Sequence, residues 1–152
     1  MATKRDTGIH VENANLLLRT LNKMGDNVSN DLRDSSTILA ESFLGDLVPA
    51  AKPGQQSAAA AAFKVYRDRV PKVGFPGRKA TGVSGGARAG ELFYGAEFGS
   101  GDFRFGPSKR DGNFFYPTLR SEGEGYALEW FDDITRTMET TWDKAAARAA
   151  AS

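Results

Sequence analysis

Residues 82–86 come nearest to a catalytic motif in this sequence of 152 residues. They match the pattern G-x-S-x-G, in which a hydrolase presents a serine nucleophile on a sharp turn between a buried strand and a helix. The preceding residues 77–81 are not strand-like, and residues 86–90 would begin a helix poorly. The single histidine, His10, precedes Ser84, whereas the base follows the serine in that fold. A hydrolase that uses Ser84 is therefore the least favoured of three functional hypotheses.

Cofactor and metal chemistry is not predicted by the remaining residues. The glycines lack the spacing of a phosphate-binding P-loop or of a dinucleotide-binding fingerprint. One histidine and no cysteine leave carboxylates as the main metal ligands, and these have no EF-hand spacing. The adjacent Asp132 and Asp133 would diverge by about 100° on a helix, so we interpret them as a solvated face. We therefore predict no catalytic residue, no cofactor and no metal, and a chain that is not an enzyme.

The composition indicates one packed domain that spans residues 1–152. This length is enough for one hydrophobic core, and the absence of cysteine excludes disulfide bonds. No segment reaches the roughly 20 apolar residues that a membrane-spanning helix needs. The first 20 residues also lack the apolar region of a signal peptide. We expect a soluble chain with no membrane partner.

Apolar residues at helical spacing predict N-terminal helices within residues 12–52. The stripe is formed by Ala14, Leu17, Leu21, Met24, Val28, Leu32, Leu39, Phe43 and Leu47. Gly25 and Asp26 interrupt it, and we expect Asp26 to cap a second helix that Pro49 or Pro53 ends.

The middle of the chain, residues 63–116, predicts a small antiparallel sheet and a long loop rich in glycine and aromatic residues. Residues 63–70 favour a strand because they are rich in β-forming residues and end at Pro71. Eleven glycines among the 39 residues 74–112 argue against long regular elements there. The alanines of residues 58–62 are compatible with a helix or a turn.

A long C-terminal helix is predicted over residues 117–149, with Pro117 at its start. Gly123 and Gly125 weaken its first turns. Its predicted buried stripe is Leu128, Phe131, Thr135, Met138, Trp142 and Ala145, with Trp130 and Ile134 beside it. The fold class predicted for the whole chain is α+β.

Charge is segregated along the chain. Residues 64–120 contain eleven Lys/Arg and five Asp/Glu, a balance of +6, whereas residues 1–63 sum to −1 and residues 121–152 to −4. Ordinary solvated surface and complementary faces of neighbouring subunits are both compatible with this pattern. A nucleic-acid-binding module is the second functional hypothesis, because cations alternate with aromatics and glycines at Arg67, Arg69, Lys72, Arg78, Lys79 and Arg88. The isoelectric point of about 8.0 is low for such a module.

The glycine-rich segment contains more aromatic residues than one loop can bury within itself. They are Phe93, Tyr94, Phe98, Phe103, Phe105, Phe114, Phe115 and Tyr116. Either all of them belong to the core of the domain, or some are covered by a neighbouring protein. The residues that we predict to contact a partner or another subunit are Phe98, Phe103, Arg104, Phe105, Arg78 and Lys79.

Two short motifs lie in this segment, ELFYGAEFG at residues 91–99 and NFFYPTLR at residues 113–120. Together they resemble the gene-product-10-like family of neck, head-to-tail joining or tail-completion proteins of long-tailed bacteriophages. Members of that family have a Glu-Phe-Gly turn, followed later by an aromatic-Pro-small-Leu step into a C-terminal helix. The residues that carry the resemblance are Glu97, Gly99, Phe115, Tyr116 and Pro117, and the two motifs cover roughly a fifth of the chain.

This resemblance implies an α+β fold and a structural role in the virion. The expected assembly is a ring of identical subunits, a hexamer or dodecamer, in the neck between portal-side connector or stopper proteins and the tail terminator or tail tube. The subunits would occupy the host cytoplasm during assembly and would meet nucleic acid only if the genome passes through the ring. The alanine stretches at residues 58–62 and 145–151 depart from the family pattern.

Overall fold

The computed structural model of the chain describes residues 25–75, 85–101 and 105–151. Its elements are α1 (Asp26–Ala50), α2 (Gln55–Ala61), β1 (Lys64–Val65), β2 (Val73–Gly74), α3 (Ala89–Phe98) and α4 (Phe115–Ala151). The fold is mostly helical. The predicted small antiparallel sheet and long C-terminal helix are confirmed. Several predicted features lie outside the described residues: the stripe before Gly25, His10, Ser84, Arg78, Lys79, Phe103 and Arg104.

Helix α1 buries one side along its whole length. Its predicted stripe is confirmed, since Val28, Leu32, Leu39, Phe43 and Leu47 are all buried. The predicted cap is wrong by one residue. Gly25 occupies the cap position with a φ of 104°, and Asp26 is the first helical residue without a side-chain cap bond. Glycine takes this backbone conformation without the steric cost that a Cβ would bring.

The sheet is shorter than the sequence pattern predicts. Only Lys64 and Val65 pair, with Gly74 and Val73, and residues 66–72 connect the two strands. The predicted strand over residues 63–70 is therefore wrong beyond Val65. Pro71 cannot donate a ladder hydrogen bond, and the carbonyl of Arg69 accepts from the Trp130 indole rather than from a strand.

The prediction of a long glycine-rich loop is wrong at residues 89–98, where the chain forms helix α3. It runs for ten residues from Ala89 to Phe98 despite Gly90 and Gly95. Burial of Leu92, Phe93 and Ala96 offsets the helix-weakening effect of the two glycines. At its start, the Arg88 backbone N–H donates to the Glu91 carboxylate at 3.0 Å.

Helix α4 is continuous from Phe115 to Ala151, and neither Gly123 nor Gly125 divides it. Pro117 is tolerated because the first four helical N–H groups have no intrahelical partner in any case.

The predicted phase of the buried stripe on α4 is wrong. Trp130 and Ile134 are buried, whereas Leu128 is 60% exposed and Trp142 is 73% exposed. Two apolar arcs overlap on this helix, and helical spacing does not decide between them. The arc that contains Trp130 faces α1, because the Trp130 indole N–H has hydrogen-bond partners on that side.

Among the residues that the structure describes, two hydrophobic clusters form the core. The first joins α1, α2, α3 and the start of α4, and its ring contacts include Phe63 stacked on Phe115 at 5.2 Å and Phe93 edge-on to Phe114 at 6.1 Å. The second, between α1 and α4, is formed by Val28, Leu32, Leu39, Trp130 and Ile134. Most aromatics of the glycine-rich segment are thus absorbed by the chain's own core. Among those described, only Tyr94 remains largely exposed, at 65%.

A buried polar contact joins α1, the hairpin connection and α4. The Trp130 indole N–H lies 3.1 Å from the Ser36 hydroxyl oxygen and 3.0 Å from the Arg69 carbonyl oxygen. The Ser36 hydroxyl in turn donates to the same carbonyl at 2.9 Å. Three segments distant in sequence are therefore held at one point, which sets the rotation of α4 against α1.

Replacing Ser36 with alanine is expected to lower the free energy of unfolding by about 1 to 2 kcal/mol, because a buried hydroxyl that both donates and accepts is lost. Ser42→Ala is the matched control, since Ser42 is exposed on the same helix; its effect should stay within about 0.5 kcal/mol. Urea unfolding of both variants measures the difference. Equal effects would contradict the role assigned to Ser36.

A second contact between α1 and α4 involves an ionisable group. The Tyr126 hydroxyl donates to the Asp46 carboxylate. Burial, followed by the hydrogen bond to Asp46 and the charge of Asp46, raises the pKa of Tyr126 from 10.0 to about 12. All of these causes favour the protonated phenol in the folded chain.

The folded chain therefore holds this proton more tightly than the unfolded chain. The stabilisation is fully present below pH 10 and is lost as the pH rises from 10 towards 12. Tyr126→Phe removes this titration while keeping the ring. We expect the difference in free energy of unfolding between the natural chain and this variant to shrink over that interval. A difference that does not change with pH would contradict the assignment.

Candidate functional site

The two sequence motifs meet at one place, the junction between the end of α3 and the start of α4. The Glu97 carboxylate accepts three backbone N–H bonds there, from Phe114 at 3.1 Å, Phe115 at 2.9 Å and Tyr116 at 2.9 Å. These are N–H groups that a helix start leaves without intrahelical partners. Glu97 therefore caps α4 from a different helix.

The burial of Glu97 shows how closely the two helices are joined. Its relative exposure is 0%. A carboxylate removed from water is costly unless hydrogen bonds replace its hydration. Here three N–H donors do so, and the N-terminal end of α4 carries the positive end of the helix dipole, which favours a negative charge.

Two glycines let the chain approach this carboxylate closely. A Cβ at Gly112 would lie 2.0 Å from the Glu97 Oε1 atom, and a Cβ at Gly99 would lie 2.1 Å from the Pro107 carbonyl oxygen. Both glycines also have positive φ angles, 83° and 67°. Neither position can accept a side chain without movement of its surroundings.

Hydrogen bonds from backbone and side-chain amides hold the described part of residues 99–114, the segment between α3 and α4, in place. The Lys109 N–H donates to the Phe98 carbonyl at 2.6 Å, and the Gly101 N–H donates to the Gly106 carbonyl at 3.0 Å. The Asn113 side-chain amide donates to the Ala96 carbonyl at 3.0 Å. The second half of the segment is thus bonded back to the last turn of α3.

The five residues that carry the family resemblance share this junction. Phe98, next to Glu97, packs against Tyr116 with ring centroids 5.5 Å apart. Glu97 and Gly99 end α3, while Phe115, Tyr116 and Pro117 form the first turn of α4. The junction is therefore one structural unit built from two sequence segments.

The capping role of Glu97 was not predicted from the sequence. One signal for it exists, because no Ser, Thr, Asp or Asn stands directly before α4. The preceding residue is Phe114, whose side chain cannot cap a helix. The first N–H groups of a helix without a local cap are satisfied by water or by groups from elsewhere in the chain.

Two of the predicted partner-contact residues are described, and both pack within the chain. Phe98 is half-buried against Tyr116, and Phe105 is half-buried against the first core cluster, where its ring excludes a Cβ at Gly95. The other four predicted contact residues lie outside the described residues. Contact of these residues with another protein stays a prediction.

Two open clefts lie beside the junction. One, of about 450 Å³, is lined by polar and apolar residues that include Lys52, Gln56, Phe105, Lys109 and Asn113. The other, of about 280 Å³, is mostly apolar and lies between α1, the hairpin connection and α4, with Val70, Tyr126 and Trp130 in its lining.

The cations behind the nucleic-acid hypothesis are partly neutralised within the chain. Arg67 pairs with Asp34 at 2.8 Å, and Lys72 pairs with Asp68 at 3.6 Å. Arg78 and Lys79 lie outside the described residues. No observation on the described residues favours phosphate binding over these internal pairs.

Over residues 25–75, 85–101 and 105–151, no group of three or more His, Cys, Asp or Glu side chains is placed to hold a metal ion. Within the same ranges, no helix has the length and apolar character needed to cross a membrane.

No protein-family model, curated protein or solved structure matches the chain. The function proposed below therefore depends on the geometry of the junction, on the surface charges, and on the resemblance of the two motifs.

Proposed function

We propose that this protein is a structural subunit of a tailed-bacteriophage virion and has no catalytic activity. In this proposal it is a neck, head-to-tail connection or tail-completion component that forms a homo-oligomeric ring. The ring lies between portal-side connector or stopper proteins and the tail terminator or tail tube.

One observation carries this proposal. The two motifs that resemble the phage family are separated in sequence, yet Glu97 of the first accepts the N–H groups of the helix that the second begins. The two motifs therefore have one structural role in common, since both form the junction between α3 and α4. This role explains why a glutamate, a glycine and an aromatic-proline step would occur together.

The use of buried polar groups also fits a structural subunit. Among the described residues, the buried polar side chains are Ser36, Glu97 and Thr118. Each is bonded within the fold: Ser36 to the Arg69 carbonyl, Glu97 to the start of α4, and Thr118 to the Phe114 carbonyl. Ser36 and Glu97 connect different elements of the fold, whereas the Thr118 bond lies at the start of α4.

Two measurements on the phage that encodes the protein test the proposal. Gold-labelled antibody should locate the protein at the head–tail junction of virions. Deletion of the gene should yield particles in which heads and tails are not stably joined, and a plasmid copy should restore them. A protein absent from assembled virions would overturn the proposal.

A matched pair of variants tests whether the capping residue matters for this function. A plasmid copy that carries Glu97→Gln should restore fewer joined particles than one that carries Glu91→Gln, because Glu91 is exposed on the same helix. Equal numbers of joined particles with both copies would show that the Glu97 cap is not needed for joining heads to tails.

A further inference from the structure

The side of α4 that faces away from α1 combines exposed apolar side chains with carboxylates. We call this the acidic face; its members are Glu124, Leu128, Asp132, Glu139, Trp142 and Asp143, all of them exposed. Leu128 and Trp142 lie fourteen residues apart, which is about 21 Å along a helix. The two apolar groups do not form one contiguous patch, but exposed Leu and Trp side chains on one side of a helix can supply the apolar part of a protein interface.

The charge of the acidic face indicates the chemistry of its partner. Four carboxylates surround the two apolar side chains. Arg136, which lies at the edge of the face, is already paired with Asp133 at 3.1 Å. A partner surface that matches it must supply cations around an apolar or aromatic centre.

The chain itself carries such a surface on the basic hairpin, residues 64–75. This segment contains four Lys/Arg and one Asp. Asp34 of α1 pairs with Arg67 at 2.8 Å, so the surface keeps a balance of +2. At its centre the Tyr66 ring is 43% exposed, and the Lys72 ammonium lies 5.9 Å from the ring centroid. Lys64 is exposed beside it. The hairpin thus presents an exposed aromatic ring among cations.

Within one chain the two surfaces are held apart. The hairpin is fixed to the Trp130 side of α4, because the Arg69 carbonyl accepts the indole N–H. Leu128 and Asp132 are each two positions from Trp130, so they lie about 200° around the helix from it. A chain therefore cannot cover its own acidic face with its own hairpin, whereas a second copy can.

We propose that the acidic face of one subunit binds the basic hairpin of the next. Each subunit then offers one surface of each kind, so the contact is head-to-tail and propagates into a closed ring or an open chain. This inference rests on the proposed function, since it names the surfaces by which the proposed ring is built.

Charge reversal on each surface tests the contact. Asp132→Lys with Glu139→Lys changes the acidic face, and Lys64→Glu with Lys72→Glu changes the hairpin. By sedimentation or native mass spectrometry, we expect the natural chain to form oligomers and each double variant to lose them. A mixture of the two variants should regain the oligomer mass, because each restores the complement that the other lacks.

Asp31→Lys with Glu41→Lys is the control, since it makes the same charge change at exposed positions of α1. It should leave the oligomer intact. If both double variants still form oligomers, this interface is wrong, but the proposal of a ring is not contradicted. A natural chain that stays monomeric at its highest soluble concentration would also overturn the interface, while antibody labelling of virions decides the proposed function separately. Circular dichroism on every variant confirms that loss of mass is not loss of folding.

Discussion

Replacing Glu97 with glutamine is expected to lower the free energy of unfolding by about 2 to 4 kcal/mol. The glutamine side chain has the same size but only one acceptor oxygen, and its amide group would face a backbone N–H. At least one of the three N–H groups of residues 114–116 would lose its partner in a fully buried site. Urea unfolding followed by far-ultraviolet circular dichroism measures the loss.

Glu91→Gln provides the comparison for this effect. Glu91 lies on the same helix and accepts one N–H bond from Arg88, but it is exposed. We expect a cost of less than about 1 kcal/mol. Hydrogen exchange adds a local readout, because the amides of residues 114–116 should exchange faster in Glu97→Gln than in Glu91→Gln. Indistinguishable unfolding and exchange in the two variants would show that Glu97 does not cap α4.

Gly99→Ala is expected to cost about 3 kcal/mol or more, or to displace the segment after α3. Two effects add here. The positive φ of 67° is unfavourable for alanine, and the new Cβ would lie 2.1 Å from the Pro107 carbonyl oxygen. Because the obstructing atom belongs to the backbone, no change of side-chain rotamer can relieve the overlap.

Gly101→Ala separates these two effects. Gly101 also has a positive φ, 74°, but a Cβ there would meet no atom within 4 Å. Its expected cost is only the conformational one, about 1 to 2 kcal/mol. The difference between the two variants in urea unfolding then measures the close approach to Pro107. Equal losses of stability for alanine at both positions would contradict the close approach of Gly99 to the Pro107 carbonyl.

These two predictions concern the same mechanical property. Glu97 joins α3 to α4, and Gly99 allows the chain to return along α3 to the start of α4. A subunit of a ring that joins head to tail needs fixed angles between its elements, because small errors accumulate around a closed assembly. In the proposed ring, the junction would fix the angle between α3 and the long helix that carries the acidic face.

The parts of the fold that depend on local spacing could be predicted from the sequence. Helix α1 shows this, since Val28, Leu32, Leu39, Phe43 and Leu47 recur at a period that places them on one side. The long α4 was also predictable, because its helix-forming residues outweigh Gly123 and Gly125. The charge segregation that underlies the proposed interface is likewise a property of the sequence.

Features that depend on contacts between distant segments could not be predicted in this way. Helix α3 forms despite its glycines because Leu92 and Phe93 are buried against other elements. The rotation of α4 depends on the Trp130 indole finding Ser36 and the Arg69 carbonyl. Helical periodicity allowed two arcs, and a hydrogen bond between partners 94 positions apart in sequence selected one.

The junction combines both kinds of information. Its residue types, a glutamate and glycine in one motif and an aromatic-proline step in the other, are visible in the sequence, and the proposed resemblance to the phage family is based on them. Their physical role is not visible there, because an N-terminal cap supplied by another helix requires the two segments to be adjacent in space. Folding brings the Glu97 carboxylate within 3.1 Å of the backbone N–H groups of residues 114–116, and these bonds replace the water that burial removes from the carboxylate.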